Sequence, residues 1–584
     1  MASLARGSGR LALTLEHAAT KFFAAKASRQ LSQAATKCKI LEGSNGERIF
    51  TSPHANVQIP PETIPQFVWK NVHSNSNKVA LECGITGRKY TYAQSRDAAN
   101  YVARSLHSLG LQEGDIVALI SPNAPESAIA FLGVLEAGMA VTTINPSYTV
   151  EEMKKQLTDS RAKAVITSAE IARGVLIAAE SALPSDAHKI VIEDGTCEIP
   201  EGTIPFKDLV TRGRTLPKLA EENWSPDNLA VLPYSSGTTG LPKGVELTHR
   251  NLVADMVMVD KSLEMSTAEN QEPGVIPAFL PFFHIYGMNV LMLPRLQLGS
   301  KLVTMPRFTP DIFLNVLDHH QCTHLFCVPP IVLFLGASPL VQKKHLEAMV
   351  SIFSGAAPLA ESDVERVYKK FGMSNESLNF LQGYGMTECS GVTFFESSNS
   401  KYASIGQPIS CSEARLVDPL TGQDIATPGQ TGELWLRGPH IMRAYSNNPE
   451  ATTETVVEGW LKTGDIAYFD QDHDFFITDR LKELVKVKGF QVPPAELEAI
   501  LRTHPDVEDA AVVGIPDARS GEVPKAFVLR KEGAVLSEEQ VQRFVIGKVA
   551  EYKELRGGVT FVESIPRNPS GKILRMKLKE LYGK

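Results

Sequence analysis

The segment Tyr234-Ser-Ser-Gly-Thr-Thr-Gly-Leu-Pro-Lys-Gly-Val245 concentrates the residue types that hold a polyphosphate. Glycines let backbone approach a phosphate closely, successive N–H groups make an anion nest, hydroxyls add donors, and Lys243 adds a cation. The loop is not of the Walker A kind, because Gly244 follows Lys243 where a Ser or Thr would bind Mg2+. A second concentration, His319, His320, Cys322, His324 and Cys327, has zinc-ligand residue types. Its second half alternates into the apolar run 325–328, which reads as a buried strand, so a core is expected there and no metal. His284, between Phe283 and Ile285, sits in a context that ordinarily means a packed core histidine.

Composition bounds what such residues can belong to. With 584 residues, 43% hydrophobic and 21% charged, the chain is too long for one core and too ordinary for a disordered, collagen-like or disulfide-stapled protein. Two to four domains are expected. The net charge of −7 does not recommend a nucleic-acid duplex as partner. Seven scattered cysteines form no disulfide framework and fit a reducing compartment. The most apolar run, 128–144, is broken by Gly133, Glu136 and Gly138, so no spanning helix is expected.

Charge is unevenly spread. Residues 1–40 hold Arg6, Arg10, Lys21, Lys26, Arg29, Lys37 and Lys39 against Glu16 alone, so the remainder is more acidic than the total suggests. Basic, acid-poor, Ala- and Ser-rich composition with Leu11, Leu15 and Phe22 at helical spacing has the character of an organellar transit segment. A basic tail or a helix lying on anionic lipid is the alternative.

The elements that must position the loop alternate. Residues 93–109 read as an amphipathic helix, 116–120 as a buried strand, and Asn123 as the cap of a helix that starts at Pro125 and runs to Gly138. Residues 141–144, 164–167, 189–192, 301–304 and 324–328 read as further strands, and strands alternating with helices argue for parallel sheets covered by helices. After about residue 400 the short runs 432–437 and 474–478 read as an antiparallel or barrel-like unit. The charged stretch 479–489 precedes a compact end with helices at 495–502 and 537–550 and strands at 510–513 and 526–529.

The loop resembles the signature of the adenylate-forming, AMP-binding superfamily, and further motifs match in order. Gln382-Gly-Tyr-Gly-Met-Thr-Glu388 resembles its second nucleotide motif, Gly459-Trp-Leu-Lys-Thr-Gly-Asp465 its ribose motif, Asp479-Arg-Leu-Lys-Glu483 its hinge, and Pro569-Ser-Gly-Lys-Ile573 its C-terminal lysine motif. The likeness spans roughly residues 50–580. Leu280-Pro-Phe-Phe-His-Ile-Tyr-Gly287, Ser354-Gly-Ala-Ala-Pro-Leu359 and the run 485–496 look most like 4-coumarate:CoA ligases and fatty acyl-CoA synthetases. Trp435 stands where hydroxycinnamate ligases carry a cysteine, and Val290 where a pocket serine is expected.

The resemblance implies an α/β fold. A large N-terminal domain, 41–479, would contain two flavodoxin-like subdomains and a β-barrel-like one, behind a leader at 1–40, and a small mobile α+β domain would span 480–584. It implies an acyl-CoA ligase that uses ATP, Mg2+ and coenzyme A to activate a fatty or arylpropenoic acid through an acyl-AMP. A luciferase-like monooxygenase shares every motif and is the alternative.

By the same resemblance, Ser235, Ser236, Gly237, Thr238, Thr239 and Lys243 hold phosphates, Thr387 meets the α-phosphate, and Glu388 holds Mg2+. Gln382, Gly383 and Tyr384 line the adenine pocket, with Tyr384 stacked on the ring, and Asp465 binds the ribose with Arg480 assisting. Lys572 serves the adenylation step; Lys486 with Gln491 serves thioester formation after rotation about Lys482; Lys488 and Gly489 meet coenzyme A. His284 gates the acyl pocket and contributes to adenylation, and the pocket walls are Tyr286, Val290, Gly355 and Ala356.

The small-molecule partners are thus an acid, ATP and coenzyme A, with no nucleic acid. The leader predicts a mitochondrial location, against peroxisomal or cytoplasmic alternatives; the C-terminal Tyr582-Gly-Lys584 is not the Ser-Lys-Leu address. A reporter fused to residues 1–40 is expected to enter mitochondria, and a diffuse cytosolic signal would count against that location.

Overall fold

In a computed structural model, the described residues are 37–44, 46–193, 195, 197–219, 224–235, 242–263, 273–357, 359–395, 401–480, 483–487, 490–517, 519–549, 551–568, 571, 573–582. At 479, 480, 490, 491 and 576 only the backbone is considered. All but the last few residues of the basic leader lie outside this set.

The strand and helix expectations in the first half hold with small shifts. The helix at 93–109 runs Tyr92–Ser108, entered through a capping box in which Gln94 N–H donates to Thr91 Oγ1 and Thr91 N–H donates to Gln94 Oε1. Strands Leu229–Val231, Ala140–Thr143, Ile116–Ile120, Ala164–Ser168, His188–Ile192 and Ile204–Pro205 lie side by side in that order, all parallel. Their runs of Val, Ile and Ala are buried because helices cover both faces. Strand Lys243–Thr248 closes one edge antiparallel to Leu229–Val231. Asn123 is not the helix cap; that is Ala124, and the Asn123 side chain instead bonds the carbonyls of Ala278 and Leu280 and the Phe282 N–H, tying this sheet to the segment before His284.

The second α/β unit is assembled from two parallel pieces. One contains Val275–Ala278, Lys301–Thr304 and Val79–Cys83; the other contains His324–Cys327, Ser351–Ser354 and Asn379–Tyr384. Thr323 joins them, its N–H donating to the Val275 carbonyl (2.8 Å) and its hydroxyl accepting from the Val275 N–H (3.0 Å).

The antiparallel unit differs from the expected barrel. Lys39–Glu42, Arg48–Thr51, Glu413–Val417, Gly432–Arg437 and Trp460–Phe469 form an antiparallel ladder, and the last strand carries both Val456–Val457 and Phe475–Arg480 on its far edge. With that edge shared by two strands the sheet forks, and among the described residues it does not close on itself. Phe50 packs edge-on to Phe469 (4.7 Å) and Phe475 (5.1 Å), filling the space that closure would otherwise enclose.

The apolar core divides in the charged stretch: Ile477 packs with the large body, whereas Val485 and Val487 belong to a separate cluster with Leu497, Val512 and Val528. Helix Pro494–Arg502 and the long hairpin Val507–Asp517 and Gly521–Arg530 build this small unit, and the helix expected over 537–550 ends early as Glu538–Val545. Arg575 is its ionic centre. The guanidinium pairs with Glu483 of the hinge motif and with Glu498 (2.8 Å), while its Nε–H donates to the Val512 carbonyl. Arg575→Met would strand two mostly buried carboxylates and is expected to destabilise the small unit by about 3 kcal/mol. Faster amide exchange along Val507–Asp517, with the parallel sheets unaffected, is the check.

Candidate active site

The described flanks of the phosphate loop are a short antiparallel pair in which Ser235 lies opposite Lys243. Tyr234 fixes one side, its hydroxyl donating to Asp159 Oδ2 at 2.5 Å. Ser236, Gly237, Thr238 and Thr239 lie outside the described residues.

Glu388 is where distant segments meet. It sits in the one-turn helix Thr387–Cys389, after strand Asn379–Tyr384, and is 3% exposed. One oxygen, Oε1, accepts from the Ser235 hydroxyl (2.7 Å) and from the Tyr445 hydroxyl (2.9 Å). Burial and the neighbouring carboxylate push the Tyr445 phenol far up, so it stays a neutral donor. Lys243 Nζ lies 4.9 Å from the centre of the Tyr445 ring. Tyr445 was invisible as a site residue in the sequence: it belongs to no motif and reaches Glu388 only because Ala444–Tyr445 pairs with strand Lys243–Thr248.

Beyond Glu388 lies Asp465, 5% exposed, whose Oδ2 accepts from the Tyr384 hydroxyl at 2.6 Å. Arg480 is the register partner of Asp465 on the next strand. Tyr384 therefore leads from the second nucleotide motif to the ribose motif. Gly383 pairs with Phe395 across a short antiparallel ladder. The Gln382 oxygen accepts from the Leu359 N–H (2.9 Å) and its nitrogen donates to the Tyr402 carbonyl, so both groups hold main chain.

The acyl-side residues cluster around Tyr286, the first residue of the π-helical segment Tyr286–Met292. The Tyr286 hydroxyl lies 3.1 Å from the Cys327 carbonyl and 3.0 Å from that of Phe353, bridging two parallel strands. A Cβ at Gly355 would stand 3.2 Å from the Tyr286 ring, so glycine admits the ring there. Ala356 takes φ +69, turning the chain sharply after the strand. Phe353 stacks flat on Phe326 (4.6 Å), and Arg295 lies buried against both rings. Val290 lines a small cavity of about 20 Å3 together with Met256, Val259 and Leu298 and the polar Asp260, Asn289 and Arg295. His284 is half-buried, and its Nδ1 accepts from the Tyr286 N–H (3.2 Å), which leaves the ring proton on Nε2.

The histidine and cysteine run forms no metal centre. His324 bonds Ser351 and burial pushes its pKa down to about 3, Cys322 is pushed up to about 12, and His319 bonds the Asn315 carbonyl. Among the described residues no group of three metal-ligating side chains is found.

The small unit contributes less to the described site. Lys486 is exposed on strand Val485–Val487, its N–H donating to Glu522 Oε2. Lys482, Lys488, Gly489 and Lys572 lie outside the described residues, as does the Gln491 side chain. Gly571 is placed, however, and a Cβ there would stand 3.2 Å from Val328, next to the carbonyl that holds Tyr286.

The turn carrying Glu388 tolerates no added bulk, since a Cβ at Gly385 would sit 1.6 Å from the Gly391 carbonyl oxygen. Gly385→Ala must move this backbone by an ångström or more, and adenylate formation is expected to fall by roughly 100-fold. Pyrophosphate release measures it, and a rate near that of the parent would contradict the geometry.

The chain resembles characterised proteins over nearly its whole length. Residues 68–446 match the AMP-binding enzyme family, and residues 496–572 match the AMP-binding enzyme C-terminal domain. The 4-coumarate--CoA ligase 1 of Solanum tuberosum is 40% identical over 92% of this chain and 97% of its own. ATP-bound MatB from Rhodopseudomonas palustris superposes with TM-score 0.79 at 28% identity, covering 90% of this chain and 99% of that one. A benzoate CoA ligase from Burkholderia xenovorans superposes with TM-score 0.77 at 26% identity, over 88% and 99%. With its phosphate-loop flanks, Glu388 and Asp465 arranged as one site and both family segments matched in order, the chain belongs to the AMP-binding enzyme family.

Proposed function

We propose that this enzyme, an AMP-forming acid–CoA ligase, acts on a carboxylic acid with an apolar acyl group, either a medium- or long-chain fatty acid or an arylpropenoic acid of the 4-coumarate kind. The observation that carries the reading is the convergence of Ser235 and Tyr445 on Glu388, with Lys243 over the Tyr445 ring and Tyr384 bonded to Asp465.

In the first half-reaction the acid's carboxylate oxygen attacks the α-phosphorus of ATP, and the bond to pyrophosphate breaks. In the second the coenzyme A thiol attacks the carbonyl carbon of the mixed anhydride, and AMP leaves. Negative charge gathers at one centre in both, so positioned donors and cations supply most of the stabilisation. Lys243 and the hydroxyls of the loop hold the polyphosphate, and Asp465 accepts from the ribose. Glu388 fits Mg2+, because a small hard cation is often held by a single carboxylate together with substrate phosphates, and no softer ligand touches this one. Bound there, the ion would neutralise phosphate charge. Lys572 serves the first half-reaction and Lys486 the second, and the contact of Gly571 with Val328 supports the first assignment by bringing the lysine motif to the acyl side.

The preference for an apolar acyl group rests on the walls. Tyr286 has its hydroxyl at two main-chain carbonyls, and Val290 is aliphatic. The reading extends to a mitochondrial location, which rests on the composition of residues 1–40 alone. No helix among the described residues is long and apolar enough to cross a membrane.

With ATP, Mg2+ and coenzyme A, AMP release is expected from fatty or cinnamic acids in a panel. Silence across the panel would defeat the proposal. Lys572→Ala is expected to abolish adenylate formation and spare thioester formation from supplied acyl-AMP, with Lys486→Ala doing the reverse.

A further inference from the structure

The turn after Glu388 is held from behind by two wholly buried polar residues that belong to no nucleotide motif. Asp255, in helix His249–Leu263, accepts from the Val392 N–H at Oδ1 (3.1 Å) and from Asn289 Nδ2 at Oδ2 (3.0 Å). Asn289 also places Nδ2 2.8 Å from the Ser390 carbonyl and 3.3 Å from that of Leu252. Both side chains are under 2% exposed. Such groups are retained in a core only where their bonds are needed, because desolvation opposes them.

What they hold is a strained piece of backbone. Ser390 has φ +60 without being glycine, its hydroxyl is tied to the His440 carbonyl (2.7 Å), and Gly391 has φ +146 with room for no Cβ beside Asp255 Oδ2 (2.6 Å). A conformation of this kind persists only when its surroundings over-determine it. Asn289 also stands in the π-helical segment three residues after Tyr286 and one before Val290. One amide thus touches the turn of Glu388 and rides on the helix that forms the acyl wall.

We propose that Asn289 and Asp255 are positioning residues that fix the Glu388 turn against the acyl-side helix, so that the metal carboxylate and the acid pocket keep one spacing. The proposal rests on the reading of Glu388 as the Mg2+ ligand and of Tyr286 and Val290 as acyl walls. Asp255 suits the task because each of its oxygens takes one bond, Oδ1 from Val392 and Oδ2 from Asn289.

The test uses the full chain and Mg2+ as the probe. Asn289→Ala is expected to raise the Mg2+ concentration for half-maximal adenylation at least fivefold and to weaken ATP binding, read by calorimetry, with Mg2+ present but not in its absence. Thioester formation from supplied acyl-AMP should stay near the parent rate. Asp255→Asn, which keeps the shape but sets an amide against the Asn289 amide, provides the same readouts if the alanine variant does not fold. An unmoved Mg2+ response, or a parallel fall of both half-reactions, would overturn the proposal. Glu388→Gln is the control: if it leaves the Mg2+ response unchanged, the reading of Glu388 fails and the proposal falls with it, whereas a shift there without one in Asn289→Ala rejects the positioning role alone.

Discussion

A carboxylate at 3% exposure must be compensated, and the site is organised around how Glu388 is. Its donors, Ser235 and Tyr445, come from segments 153 and 57 residues away. Ser235 is delivered by the edge of the first parallel sheet, Tyr445 by the short strand that pairs with that edge, and Glu388 by the end of the second parallel unit. No one of these bodies can shift without leaving the carboxylate short of a donor, so the two units are registered to each other at the place where a polyphosphate would lie.

The rest of the site hangs from that junction in two directions. Toward the antiparallel sheet, Tyr384 hands the register on to Asp465 through one hydrogen bond, which explains why a residue of the nucleotide motif and one of the ribose motif act as neighbours. Toward the acyl side, Asn289 and Tyr286 of a single π-helical segment touch the Glu388 turn and the strand ends at Cys327 and Phe353. An extra residue per turn in such a segment re-aims side chains without ending the helix, and these segments recur at functional sites for that reason.

Much of this was legible beforehand. Parallel strands such as 116–120 and 164–167 were readable from buried β-branched runs between amphipathic helices, because side-chain period follows directly from backbone geometry. The histidine and cysteine run was readable as core for the same reason: Cys322 and Cys327 are buried, and His324 is half-buried at the start of strand His324–Cys327. Asn123 was misread as a cap because a residue that can cap a helix can equally bond a neighbouring loop, and only the partner decides. That the Gln382 amide holds main chain at Leu359 and Tyr402 was not legible, because motif position says nothing about which main-chain groups stand within reach. The barrel expectation failed on topology: short alternating strands say that a sheet forms, not whether its edges meet.

By itself the sequence determined which motifs are present and the order in which they are strung, and from their resemblance to those of AMP-binding enzymes came the expectation of a loop for phosphates, a carboxylate for Mg2+, an acid for the ribose and lysines beyond a hinge. Motif identity and order are properties of residue type and local spacing, which a chain carries whatever it folds into. Tertiary structure alone decided that Tyr445 donates to Glu388, that Asp255 and Asn289 hold the turn behind it, and that the Tyr286 hydroxyl is bonded to main chain. Each depends on burial and on contacts between segments tens to hundreds of residues apart, and burial is a property of the packed molecule that no local pattern encodes.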